Sequence, residues 1–259
     1  RKISHNIKHL IKKAKEVNIE MKSVDDVAVM SYAIDTGKHK YDFANLLQTY
    51  LGNNYKADSH NLYILYKKLH KLLLETKHVS LYENIDRKLI SLLAEVEFKG
   101  VKIDKKQLME LSKLFTAKQK ELEIKIHEIA KCEFNIGSPK QLGEVLFDKM
   151  AIAGGKKSKT GAYSTGAEIL EKLALDGHAI AQHVIEWRQY SKLINTYTEA
   201  LQEAINPKTG RVHTTFTMTE TSTGRLSSID PNLQNIPIRS EEGHKIREAF
   251  VAEEGKTII

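Results

Sequence analysis

From Asp104 to Ile129 the chain carries neither glycine nor proline. Asp104 with Gln107 makes a capping-box-like start to this stretch. Leu108, Leu111, Phe115, Leu122, Ile126 and Ile129 then recur at the spacing of one helix face. A long helix with that buried stripe is predicted, and Lys106, Lys113, Lys120 and Lys125 cover its other side as a solvated face. With 14 Gly and only 4 Pro in 259 residues, little elsewhere interrupts helices. The length suits one to three domains.

Residues 1–80 read as lysine- and histidine-rich helices, such as Ile7 to Val17 and Leu62 to Leu74, joined around Gly37 and Gly52-Asn53-Asn54. From Ile85 the positions Leu89, Leu92, Leu93 and Val96 mark a helix with that face in the core, stopped by Gly100 as a left-handed residue. A last long helix, Ile180 to Ile205, buries Ile180, Val184, Trp187, Ile194 and Leu201 and presents Arg188, Lys192, Asn195 and Thr196 on another side. Asn206-Pro207-Lys208-Thr209-Gly210 is a turn, after which Val212, Thr214, Phe216 and Met218 alternate as in a strand. Boundaries near residues 78 and 205 follow.

Lys and Arg outnumber Asp and Glu by 40 to 33, a formal charge of +7 that favours a polyanionic partner. The single Cys132 excludes an internal disulfide and a cysteine-based zinc cluster, and suits a reducing, cytoplasmic setting. No stretch approaches the roughly 18 apolar residues of a membrane span. His5 and His9 stand one helical turn apart, but without a nearby carboxylate they read as surface histidines rather than metal ligands. No Walker loop or nucleophile elbow is present.

Three segments combine phosphate-binding chemistry with irregular backbone. Ser138-Pro139-Lys140-Gln141 joins an N-cap serine, a proline at the first helical position and a lysine. Lys156-Lys157-Ser158-Lys159-Thr160-Gly161 concentrates charge and hydroxyls in a loop. Thr221-Ser222-Thr223-Gly224-Arg225-Leu226-Ser227-Ser228-Ile229-Asp230-Pro231-Asn232-Leu233-Gln234-Asn235-Ile236-Pro237 places a guanidinium, three carboxamides and five hydroxyls along a path set by Gly and Pro.

That last segment resembles, almost letter for letter, the T-x-T-G-R-L-S-S-x-x-P-N-L-Q-N-I-P signature of family A DNA polymerases. Tyr82-Glu83-Asn84-Ile85 through Asp104, Phe134-Asn135 with Ser138 to Leu142, Lys192-Leu193 with Thr196-Tyr197, Asn206 to Thr214, and Arg239 through Phe250 resemble the family as well. The resemblance implies an α+β, mostly helical chain in three parts. These are the C-terminal part of a 3′–5′ exonuclease-like (ribonuclease H-like) α/β domain over 1–77, a helical thumb over 78–205, and the first strands of the palm over 206–259.

What the resemblance implies for function is template-directed DNA synthesis in replication and repair, with this chain supplying the grip on primer–template DNA. Arg225, Asn232, Gln234 and Asn235 are expected at the minor groove and the backbone near the growing end. Ser138, Lys140, Lys159, Thr160, Lys192, Thr196 and Arg239 are expected at phosphates. The two Mg²⁺ ions and the deoxynucleoside triphosphates of the full enzyme belong to palm and fingers residues that in the family follow Gly255 to Ile259, so the chain alone is expected to bind DNA and not extend it. In the exonuclease-like part, Leu10 stands where the family's N-x-K-x-D pattern has a metal-binding Asp. Tyr55 precedes Asp58 by three residues instead of four, so Asp58 is at most a remnant ligand and the exonuclease is expected to be inactive. A monomer without membrane attachment is expected. The rival readings are a non-catalytic DNA-binding protein derived from the family and a 3′–5′ exonuclease.

Overall fold

The computed structural model describes residues 1–37, 40–155, 157 and 163–257. The fold is α+β and mostly helical, and it divides into two compact units, Arg1–Lys102 with Ala204–Asn235 and Ile103–Glu203 with Ile236–Ile259.

In the first unit, β1 (Lys2–Ser4) and β2 (Val24–Asp26) pair in parallel with Ile3 opposite Asp25, and α1 (Ile7–Glu16) is the crossover that a parallel pair requires. The Asp26 carboxylate starts two helices. It accepts from the Ile7 amide at 2.7 Å and, as the N-cap of α2 (Val27–Ile34), from the Ala28 amide at 2.9 Å. Beside it, buried Asp25 accepts from the Tyr82 hydroxyl at 3.0 Å. Burial pushes both carboxyls above their ordinary range. The next helices, α3 (Phe43–Leu51) and α4 (Ser59–Glu75), are capped by Asp42 and Asp58. In α4, Leu65, Leu69 and Leu73 are fully buried at i, i+4, i+8, each contributing on the order of 2 kcal/mol.

A short α5 (Val79–Leu81) passes through a π-turn, Tyr82–Asp86, into α6 (Arg87–Lys99). The face that α6 buries is not the expected one. Ile90, Leu93, Ala94 and Glu97 are inside, while Ile85, Leu92 and Val96 are exposed. Glu97 is only 2% exposed. Its carboxylate pairs with the Lys8 and Lys12 ammonium groups of α1, the latter at 2.6 Å, and accepts from the Phe216 amide at 2.9 Å. A charged residue so compensated can occupy a core position, and the buried face is rotated by one residue from the one inferred from apolar residues alone, with Leu93 common to both. Gly100 ends α6 at φ +66° as expected. A Cβ there would also meet His213 Nδ1 and the Val212 carbonyl oxygen, each at 2.7 Å.

Strand β3 (Val101–Lys102) joins a three-stranded antiparallel sheet, order β3-β5-β4, with β4 (Ile205–Asn206) and β5 (Arg211–Val212) flanking the predicted turn. β6 (Thr215–Thr217) pairs with β7 (Ser227–Ile229), Phe216 opposite Ser228. Val212, Thr214 and Met218 are buried as the alternation predicts, while Phe216 is half-buried. The compact units thus cut the chain differently from the three domains read from sequence. Residues 78–102 and 204–235 pack with 1–77, because α6 lies on α1 and Glu97 reaches β6.

In the second unit, α7 (Lys105–Ala130) is the predicted long helix. The Asp104 carboxylate accepts from the Lys106 and Gln107 amides at 2.9 and 3.2 Å. Five residues of its expected stripe are buried, but Ile129 is 36% exposed and Ala130, four residues after Ile126, closes the face instead. Then come α8 (Pro139–Gly143), a π-segment Glu144–Lys149, α9 (Ala167–Leu175) and α10 (Ala179–Lys192), which packs along α7 and α9. The expected helix 180–205 runs without interruption from Ala179 to Glu203, as α10, a π-segment Leu193–Glu199 and α11 (Ala200–Glu203), with β4 beginning at Ile205. The wider turn adds a residue to the repeat and brings Tyr197 and Thr198 inward beside Leu193 and Ile194. Finally α12 (Glu241–Glu248), capped by Ser240 Oγ, closes on α7 where Asp104 N donates to Ala249 O at 2.8 Å. No helix among the described residues is long and apolar enough to cross a membrane.

Candidate nucleic-acid interface

The second unit has an open groove of about 730 Å³ between the start of α8, residues 163–166, and the end of α10 with its π-segment. Gly137, Pro139, Trp187, Arg188, Lys192, Asn195 and Thr196 line it. Ser138 lies between two lining residues, with Oγ accepting from the Gln141 amide at 3.5 Å, so α8 begins as the sequence predicts. Lys192 and Thr196 are exposed on the groove and have no side-chain partner among the described residues. Lys140 is exposed on the outer side of α8, 4.0 Å from Glu144. The structure therefore brings Lys192 and Thr196 together with the backbone around Ser138, and Lys140 does not line the groove. Lys159 and Thr160 lie outside the described residues.

Arg188 was expected to present its charge. Instead its guanidinium donates to the Thr165 carbonyl at 2.6 Å and to Thr165 Oγ1 at 3.3 Å, tying α10 to the 163–166 segment. Burial pushes its pKa down from the ordinary arginine value. Trp187, expected in the core, is half-buried along the same wall. An indole and a guanidinium on the inner edge of an amphipathic helix are ambiguous in sequence between packing and contact. Only the position of residues 163–166 resolves them.

In the first unit, the loop from Thr221 to Asn235 turns several of its polar groups on itself. Gln234 Oε1 accepts from the Ser228 amide at 2.9 Å and Nε2 donates to the Leu226 carbonyl at 3.1 Å. Asn232 Oδ1 accepts from the Gln234 and Asn235 amides at 3.0 and 3.2 Å. Ser228 Oγ takes the Leu233 amide at 3.0 Å and stands 2.7 Å from Thr214 Oγ1. Asn232 and Gln234 are thus braces of the loop in the structure, while Asn235 is exposed at its end. Arg225 differs. Its backbone carbonyl accepts from Thr221 Oγ1 at 2.7 Å, and its guanidinium is exposed with no partner among the described residues. Arg239, in the second unit, is likewise exposed and unpaired among them.

Leu10 and Asp58 are the positions at which the resemblance implies a comparison with exonuclease ligands. Leu10 is 44% exposed on α1. Asp58 caps α4 by accepting from the Asn61 amide at 2.8 Å. His5 stands 2.7 Å from the Tyr41 carbonyl and stacks on Phe43, which leaves His9 exposed alone. Among the described residues no group of three or more His, Cys, Asp or Glu could hold a metal ion.

Residues 105–259 match DNA polymerase family A. DNA polymerase I of Rhizobium leguminosarum is 37% identical over 286 residues, covering all of this chain and 28% of that protein. DNA polymerase I of Caldicellulosiruptor bescii is 42% identical over 270 residues, covering all of this chain and 31% of that protein. The chain therefore spans less than a third of these relatives. The solved POL domain of Pol1 from M. smegmatis, in complex with DNA primer-template and dNTP, superposes with a TM-score of 0.89 at 32% identity over 98% of this chain and 46% of that one. A family match over more than half the chain, beside this superposition, makes the chain a member of DNA polymerase family A.

Proposed function

We propose that the chain forms the part of a DNA-directed DNA polymerase that holds primer–template DNA. The observation that carries this reading is the division of labour in the 221–235 loop. The carboxamides of Asn232 and Gln234 brace the backbone and the loop's one guanidinium, Arg225, is left exposed and unpaired among the described residues. A rigid loop presenting a single cation suits sequence-independent contact with a duplex. The groove with Lys192 and Thr196 supplies a second grip of the same kind, consistent with the net charge of +7. Mg²⁺ and deoxynucleoside triphosphates belong to the whole enzyme under this reading, which acts as a cytoplasmic monomer on primer–template DNA without a membrane. Residues 1–77 are the exonuclease-like remnant, 78–205 the thumb and 206–259 the start of the palm. Exposed Leu10 and the capping role of Asp58 count against exonuclease chemistry.

Fluorescence anisotropy of a labelled primer–template across a salt series tests the proposal. Binding should be independent of sequence, fall steeply with salt, and weaken in Arg225→Ala and Lys192→Ala. Wild-type affinity in both variants would remove these residues from the interface.

A further inference from the structure

The N-terminal residues place one side chain directly on the loop that carries Arg225. The Tyr32 hydroxyl, at the end of α2, donates to the Thr221 carbonyl at 2.7 Å and accepts from the Gly224 amide at 3.0 Å. It thereby clasps both ends of the Thr221–Gly224 turn, in which Gly224 is left-handed at φ +78°. Tyr32 is itself buried and held edge-on by Tyr41, whose hydroxyl in turn takes the Gly37 amide at 2.8 Å. A Cβ on Gly37 would stand 2.8 Å from Ser222 Cβ, so the loop rests closely on this support.

We propose that Tyr32 is a positioning residue for DNA binding, and that the exonuclease-like region acts through it to fix the direction of Arg225. The inference rests on the reading of Arg225 as a DNA contact. A loop tethered at the residue preceding a free guanidinium loses less conformational freedom when that cation meets DNA, and preorganisation of this kind appears as affinity. Removing the hydroxyl deletes both tethers and keeps the ring and its contact with Tyr41.

The test is a double-mutant cycle on the 259-residue chain, using anisotropy with a labelled primer–template, for Tyr32→Phe, Arg225→Ala and the pair. Tyr32→Phe should weaken binding about three- to tenfold, the scale of one or two hydrogen bonds. The pair should bind no more weakly than Arg225→Ala alone. Hydrogen exchange at the Gly224 amide should quicken in Tyr32→Phe while the thermal midpoint stays near that of the wild type. If Arg225→Ala weakens binding and Tyr32→Phe does not, or if the two losses multiply, the positioning role is overturned and the Arg225 reading stands. If Arg225→Ala binds as the wild type does, that reading fails, and this inference with it.

Discussion

Replacing Glu97 by alanine should be among the most costly single substitutions in the first unit. The carboxylate side chain is fully buried, and it faces Lys8 and Lys12, whose side chains are 12% and 26% exposed. Without it Lys12 can swing toward water. Lys8, which also donates to the Phe216 carbonyl, is left as an enclosed uncompensated charge, and the Phe216 amide loses its acceptor. Removing one partner of a buried pair costs about 3–5 kcal/mol, and an unsatisfied buried amide about 1–3 kcal/mol when taken alone. The two overlap, so a total near 4 kcal/mol is expected, a large share of the roughly 5–15 kcal/mol that holds a domain together. Urea denaturation followed by circular dichroism measures it as a lower midpoint at constant slope. Urea is preferable to guanidinium because it leaves charges unscreened. Glu97→Gln should fall between wild type and Glu97→Ala, since it keeps an acceptor for Phe216 but no charge. A cost below about 1 kcal/mol for Glu97→Ala, the value of an exposed pair, would refute the claim that this network is a buried tie.

Gly243→Ala drives a Cβ against the Pro237 backbone, with Pro237 C at 2.8 Å, and should lower stability by about 1–3 kcal/mol in the same assay; an unchanged midpoint would show that α12 shifts freely. Burial raises the Asp25 carboxyl, so the folded chain keeps that proton to higher pH than the unfolded one. The stability linked to it is full below the ordinary carboxylate range and declines as pH rises through the raised value. The thermal midpoint of Asp25→Asn should accordingly depend less on pH than wild type between about pH 4 and 7, and parallel profiles would count against the assignment. Arg188→Lys cannot span both Thr165 oxygens and should loosen the groove wall, weakening DNA binding about threefold or more; undiminished affinity would make that tie irrelevant to the grip.

Much of the architecture was legible because it follows from local chemistry. Asp104, Ser138 and Gly100 mark ends through caps and a left-handed residue, and the α7 stripe follows from spacing, apart from its final turn. The phase of α6 was not legible, since the residue that fixes it is a glutamate whose partners lie 85 and 89 positions away. Nor was the π-segment after Lys192, for which the residues carry no distinct signal. At the candidate site, the sequence reading singled out Arg225, Lys192 and Thr196, and all three are exposed. It could not say that Gln234 and Asn232 fold back on the loop or that Arg188 is bound to Thr165, because carboxamides and guanidinium groups serve the backbone as readily as a ligand. Tyr32 was invisible for the opposite reason: a tyrosine in an apolar helix reads as core.

The clasp at Tyr32 also sets a schedule. Its partner at Gly224 lies 192 residues downstream, and Phe216 lies 119 residues beyond Glu97. At about 5–20 residues per second, a ribosome needs on the order of 10–40 s to deliver Gly224 after Tyr32 has been made. Through that interval the seat for the 221–224 turn stands open, and for the 119 residues between Glu97 and Phe216 the glutamate has its lysines but not its strand. The N-terminal region can collapse early but cannot complete its own surface until the second unit's helices up to Glu203 have been made, so its last folding step must await a segment delivered from far along the chain.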